Sequence, residues 1–274
     1  METAVSMNKF FEVAMQAAEE ASAIVREGAA RPKNVQYKGD VDLVTETDER
    51  SEAAIVSRLR KEFPDHAIVA EEGSEGAPLG AKYCWYIDPL DGTTNFAHGY
   101  PCFATSIALH ENGVPLVGVV VNPIAQETFS AVRGEGAKLN GKPIRVSSVP
   151  KLATSLVATG FPTHMREDSA NIQYYWGFTL NSHGVRRDGS AALDLCTVAC
   201  GRLEGFWEFG LKSWDVAAGM LIVIEAGGKV TDINGGAFHV GSPHVLATNG
   251  LIHEDMRARA AEIAKKIAAS KQAV

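Results

Sequence analysis

In Cys84-Trp-Tyr-Ile-Asp-Pro-Leu-Asp-Gly-Thr-Thr-Asn95, four apolar or aromatic residues lead straight into two carboxylates, Asp88 and Asp91, three positions apart. Cys84 to Ile87 reads as a short buried strand, which the Asp88-Pro89 step is expected to end. The two acids then fall on a tight turn that carries Gly92. Clustered carboxylates are the hard oxygen donors that Mg²⁺ selects. The amides of Gly92, Thr93 and Thr94 form the kind of exposed N–H row that holds an anion at a turn or helix start. Taken alone, two Asp residues at this spacing are also what ordinary side-chain capping of a turn produces. With the aromatic lead-in and the Gly-Thr-Thr-Asn tail, a cation and a phosphate are expected to meet within one turn.

Outward from this turn, residues 7–28 carry Phe10, Phe11, Val13, Ala14, Ala17, Ala18, Ala21, Ile24 and Val25 at helical spacing, ending near Gly28. Residues 31–39 read as a basic loop punctuated by proline and glycine, and Thr45 or Thr47 caps a second helix reaching about Lys61. Strand-like runs follow at 66–69, 103–110, 115–122 and 127–133, with Asn112-Gly113 and Asn140-Gly141 as hairpin turns. This half is expected to pack two helices on an antiparallel sheet. Ser147-Ser-Val-Pro150 marks a boundary, giving lobes over 1–148 and 149–274. Beyond it, strands near 154–159, 184–187, 204–209, 228–232 and 244–247 alternate with helices near 166–181, 190–201, 215–226 and 253–269. Such alternation predicts a layered α/β lobe.

With 274 residues the chain can bury a large core, and its 46% hydrophobic and 22% charged residues are ordinary for a globular protein. A net charge of −7 argues against nucleic acid or an anionic membrane as partner. Cys84, Cys102, Cys196 and Cys200 show no paired spacing, so neither a disulfide framework nor a zinc site is expected. No signal-peptide core and no membrane-length apolar run is visible, which predicts a cytoplasmic setting.

Four pieces share one further property. Asp42-Leu-Val-Thr-Glu-Thr-Asp48, Ala70-Glu-Glu-Gly-Ser74, Trp85-Tyr-Ile-Asp-Pro-Leu-Asp-Gly-Thr-Thr-Asn-Phe96, and Trp214-Asp-Val-Ala-Ala-Gly219 with Glu225-Ala-Gly-Gly228 stand in this order. The chain thereby resembles the inositol monophosphatase family over roughly residues 8–265. The resemblance implies a layered αβαβα sandwich, an α/β fold with its active site between the lobes. It implies two or three Mg²⁺ per site, held by Glu71, Asp88, the Leu90 carbonyl, Asp91 and Asp215, with Asp88 bridging two ions. Four carboxylates at about −4 balance two Mg²⁺ at about +4, so a phosphate dianion is not repelled. Thr93 with Asp48 is implied to activate the attacking water, which Glu71 also touches, and the amides of Gly92 and Thr93 to cradle the phosphate. Asp91, Gly189, Ser190, Ala191 and Glu208 are implied to meet the alcohol half of the substrate, and Lys38 to approach the phosphate from a loop.

The activity implied is hydrolysis of an inositol monophosphate, a small phosphate ester, by a Li⁺-sensitive homodimer. Related readings are a histidinol phosphatase, a fructose-1,6-bisphosphatase or a 3′-nucleotide phosphatase; a different class is a non-catalytic binding module. The chain has no long insertion between Glu72 and Asp88 and no added basic cluster, which speaks against a bisphosphate. Each residue also has a plain structural reading. Glu71-Glu72 is a solvated acidic loop, Asp215 a helix cap, Asp48 a first-turn acid, Glu208 an outward strand residue and Lys38 surface charge, while Arg186-Arg187 is surface charge or else positions the Gly189 segment or a partner subunit.

Overall fold

The computed structural model describes residues 2–31, 35–37, 43–73, 81–161 and 169–272. Apolar residues at helical spacing produce α1 (Glu2–Ala29), which turns Phe10, Ala14, Ala17, Ala18 and Ala21 inward. The second helix, α2 (Glu46–Glu62), is capped by Thr45, whose hydroxyl accepts from the Thr47 amide at 3.2 Å. These two helices cover one face of a seven-stranded sheet that follows chain order. Its strands are β3 (Ala67–Ala70), β4 (Tyr83–Asp91), β5 (Ala104–Glu111), β6 (Val114–Asn122), β7 (Glu127–Val132), β8 (Ala137–Leu139) and β9 (Lys142–Pro143). Hairpins form at both Asn-Gly pairs, where Asn112, Gly113, Asn140 and Gly141 all take positive φ.

The second sheet has five strands in the order β11-β10-β12-β14-β13. They are β10 (Leu156–Thr159), β11 (Gly184–Arg186), β12 (Gly205–Phe209), β13 (Lys229–Thr231) and β14 (His244–Thr248). Between the two sheets lie α5 (Ala191–Ala199) and α6 (Ser213–Glu225), both largely apolar, although α5 also buries Asp194. Outside the second sheet, α4 (Asn171–Thr179) and α7 (His253–Gln272) close a third core around Phe178, Trp207 and Met256. The layers are therefore helix, sheet, helix, sheet, helix, the αβαβα sandwich that the resemblance implied. Cys196 packs in the central core and Cys200 against it, as apolar side chains.

Three expectations need correction. Residues 31–39 are not all loop, because Val35–Tyr37 forms a strand, β1, antiparallel to β2 (Leu43–Thr45). Three residues are too few for a period-2 pattern to show. The first sheet is mixed, because β3 and β4 run parallel. The helix expected over 166–181 is α4, confined to Asn171–Thr179 within the described residues.

Candidate active site

β4 does not stop at the Asp-Pro step; it continues through Asp88, Pro89 and Leu90 to Asp91. Its register against β5 shifts between Asp88 and Asp91, a bulge that aims both acids. β3 pairs with β4 only as far as Ile87, so past that point the proline sits on an edge where no ladder donor is missed. The Pro89 carbonyl is instead taken by Ser51 Oγ of α2 and Thr105 Oγ1 of β5, each at 3.1 Å. Gly92 then reverses the chain at φ +93°, where a Cβ would stand 2.9 Å from the Cys102 carbonyl oxygen. Only glycine takes that backbone without strain. The chain leaves the turn as a short helix, α3 (Thr93–His98).

A cavity of about 350 Å³ opens at this turn, and Glu71, Asp88, Asp91 and Asp215 all line it. Asp215 comes from the first turn of α6. That turn is fastened to β4 indirectly: Ser106 pairs with Asp88 across the sheet and donates to the Trp214 carbonyl at 3.4 Å. Backbone amides fix one oxygen of each aspartate. Leu90 donates to Asp88 at 3.0 Å, Ala192 to Asp91 at 2.8 Å and Lys212 to Asp215 at 2.7 Å. Asp91 also accepts from Ser190 Oγ at 2.5 Å, so an acid of the first sheet is anchored at the start of α5. Among the described residues, no hydrogen bond engages the second oxygen of Asp88 or of Asp215.

The electrostatics follow from this crowding. Burial raises the Asp88 pKa well above the usual carboxylate range, and the charges of Glu71, Asp91 and Asp215 raise it further. Asp215 is pushed up to about 7, by burial first and then by Asp91. Asp91 is pushed up to about 6 by burial, against the hydrogen bonds from Ser190, Ala192 and Ala191. Carboxylates that share a low-dielectric wall without a counter-charge destabilise one another, and a cation relieves exactly that repulsion. Among the described residues, no three His, Cys, Asp or Glu side chains close around a single point. The acids thus form an open face on the cavity and not a finished cage. An all-oxygen donor set of this kind, with the Leu90 carbonyl on the same cavity, suits Mg²⁺.

Asp48 is a first-turn helix acid that also reaches the signature turn through Thr93. Its Oδ2 accepts from the Thr45 amide at 2.9 Å, closing the capping box, while Oδ1 accepts from Thr93 Oγ1 at 3.0 Å. The Thr93 hydroxyl also lies 3.0 Å from the Leu90 carbonyl oxygen. Asp48 is fully buried, and burial pushes its pKa up to about 6, against hydrogen bonds from Thr45 and Thr93.

On the alcohol side, Gly189, Ser190 and Ala191 form the entry to α5 and line the cavity. Glu208 of β12 lines it too and is only 5% exposed, so it is not an outward strand residue. Arg187 is exposed and also borders the cavity, so it is more than surface charge. Lys38 lies outside the described residues. Two positioning residues escaped the sequence reading. Asn95 Nδ2 donates to the carbonyls of Cys102 and Asp188, each at 2.7 Å, and so ties the signature helix to the second sheet. Gly160 backs Glu208. The only sequence signal for Asn95 was its place in the quoted run.

Residues 6–271 match the model of the inositol monophosphatase family. The chain belongs to the inositol monophosphatase family. Members of this family generally depend on Mg²⁺. The chain is 44% identical to Inositol-1-monophosphatase of Synechocystis sp., over 91% of this chain and 88% of the relative. It is 45% identical to Phosphatase IMPL1, chloroplastic, of Arabidopsis thaliana, over 94% and 71% respectively. A relative named Nus factor SuhB, from Pseudomonas aeruginosa, is 44% identical over 89% and 92%. Among solved structures, the inositol monophosphatase of Anabaena superposes with a TM-score of 0.86 at 40% identity, covering 94% of this chain and 97% of that one. Among the described residues, no helix is long and apolar enough to cross a membrane.

Proposed function

We propose that this protein hydrolyses an inositol monophosphate to inositol and inorganic phosphate with the help of Mg²⁺. The observation that carries this reading is the meeting of Glu71, Asp88, Asp91 and Asp215 on one cavity that Thr93 and Glu208 also line. Glu71, Asp88, the Leu90 carbonyl, Asp91 and Asp215 would hold the ions, two or three in number. When bound, Mg²⁺ supplies positive charge for the phosphoryl oxygens and Lewis acidity toward water. The amides of Gly92 and Thr93 open α3 and receive the phosphate, since first-turn amides have no acceptor within the helix. Thr93 Oγ1 takes a proton from the attacking water while passing its own to Asp48 Oδ1. Asp91, Gly189, Ser190, Ala191 and Glu208 face the polyol.

The names of the Synechocystis and Anabaena relatives support the substrate. Every position the chemistry needs has a competent side chain, which disfavours a purely non-catalytic role. We extend the proposal to inhibition by Li⁺, a homodimeric state, a cytoplasmic setting and lobes meeting near residues 148–149. Phosphate release with and without Mg²⁺ from inositol 1-phosphate, fructose 1,6-bisphosphate, histidinol phosphate and a 3′-phosphonucleotide tests it. Mg²⁺-dependent turnover fastest on inositol 1-phosphate is expected. No release from any ester would return the chain to a binding role, and a different best ester would replace the substrate.

A further inference from the structure

β11, β10 and β12 are neighbours in the second sheet and run parallel. Ligands of open α/β sheets bind beyond the carboxyl ends of such strands. At those ends stand Arg187 after β11, Gly160-Phe161 after β10, and Glu208, the penultimate residue of β12, and all four line the cavity. The middle strand holds the outer two in a fixed relation. Arg187 Nη2 donates to the Phe161 carbonyl at 3.3 Å. A Cβ on Gly160 would lie 2.2 Å from Glu208 Oε2, so the glycine lets that carboxylate rest against bare backbone. Burial, then the charges of Asp215 and Asp91, push the Glu208 pKa well up, and Arg187 draws it back. A guanidinium has five N–H donors, most of which this anchoring leaves for a ligand.

We propose that Arg187 is a specificity-determining residue: its guanidinium donates, and the Glu208 carboxylate accepts, hydrogen bonds to neighbouring hydroxyls of the substrate alcohol, so that this wall selects phosphate esters of vicinal polyols. The inference rests on the phosphatase reading above and assigns the donor half of its alcohol-binding wall. A guanidinium would equally take a second phosphate, and local charge decides between the two. Glu208, Asp188 and Asp91 act electrostatically on the same buried Asp194 that Arg187 reaches, so among the described residues acting on it acids outnumber Arg187. A neutral diol fits that balance better than a second anion. A site built to hydrogen-bond a hydroxyl discriminates strongly against esters that lack it, because its own polar groups are then left unpaired.

The test compares kcat/KM for inositol 1-phosphate with that for p-nitrophenyl phosphate, with Mg²⁺, in wild type, Arg187→Gln and Arg187→Lys. In Arg187→Gln the inositol-to-aryl ratio is expected to fall at least tenfold, mainly through KM for inositol 1-phosphate. Arg187→Lys, which keeps the charge but loses the fork, falls between. Turnover of the aryl ester reports whether the site is still assembled, and the Lys variant stands if the Gln variant does not fold. An unmoved ratio, an equal loss on both esters, or a larger loss on fructose 1,6-bisphosphate than on inositol 1-phosphate overturns the assignment while leaving the phosphatase reading intact. Wild-type protein that releases phosphate from no ester overturns both.

Discussion

The phosphate wall and the alcohol wall of the cavity are built in different ways. The phosphate wall of the proposed reading comes from one continuous run, Asp88 to Thr93, to which Glu71, Asp48 and Asp215 are attached by the β3–β4 pairing that precedes Glu71, the Thr93 hydrogen bond to Asp48 and the Ser106 link. The alcohol wall is gathered from the ends of β10, β11 and β12 and exists only once the second sheet has formed. The first is dense in carboxylates and inhospitable without a cation; the second sets Arg187 beside Glu208, with an excess of acid around them. Chemistry is thus concentrated on a local motif, while selectivity is spread over distant parts of the chain. Changes to the phosphate wall should slow every ester alike, and changes to the alcohol wall should re-rank them.

Asp88→Asn or Asp215→Asn removes a charge the metal needs at nearly constant volume. Several kcal/mol of transition-state stabilisation is at stake, so kcat should drop roughly 10⁴-fold on inositol and aryl phosphates alike, with the far-UV circular dichroism unchanged. Activity within tenfold of wild type in both variants contradicts the ligand assignment. Thr93→Ala leaves the metal acids untouched and should cost on the order of 10²–10³ in kcat, again on both esters. Selective loss on one ester would move Thr93 to the wrong wall. Glu208→Gln should do the reverse. Losing a hydrogen bond to a charged group, about 1.5–3 kcal/mol, lowers kcat/KM for inositol 1-phosphate roughly tenfold or more and spares p-nitrophenyl phosphate. Equal loss on both takes Glu208 out of substrate reading.

The smallest effect is thermodynamic. Asp91 and Asp215 titrate near 6 and near 7 in the fold, above the ordinary 3.8. The folded chain therefore holds these protons more tightly than the unfolded chain does. Stability from this source is fully present below the usual carboxylate range and is lost as pH rises through about 6 to 7. Mg²⁺ binds the deprotonated acids, so the rise in Tm that it causes should be larger at pH 7.5 than at pH 5.5, about 2.7 kcal/mol of stabilisation at a hundred times its Kd. A thermal-shift series with the opposite trend, or none, breaks the contrast between the walls.

The same division explains what was legible in the sequence. The aromatic lead-in, the two aspartates and Gly92 are contiguous, and each acts through a local rule. The helical period of α1 and the Asn112-Gly113 hairpin are local for the same reason. Pro89 misled because its harmlessness depends on β3 ending at Ala70, a tertiary fact. Position alone leaves Asp48 open between a helix acid and a site residue; the capping box that orients it also points its other oxygen at Thr93. Gly160 carries no local signal, and Arg187 shows in the sequence only as one of a basic pair before the Gly189 segment. Their meaning arises from the parallel order β11-β10-β12, which no spacing along the chain encodes.

Anomalous scattering from a crystal of this protein soaked in Mn²⁺ as a Mg²⁺ substitute reads the central assignment most directly. Peaks should lie within coordinating distance of Asp88 and be shared with Glu71, Asp91 or Asp215. Peaks elsewhere, or none at this cavity while the ion binds at other positions, would contradict the account.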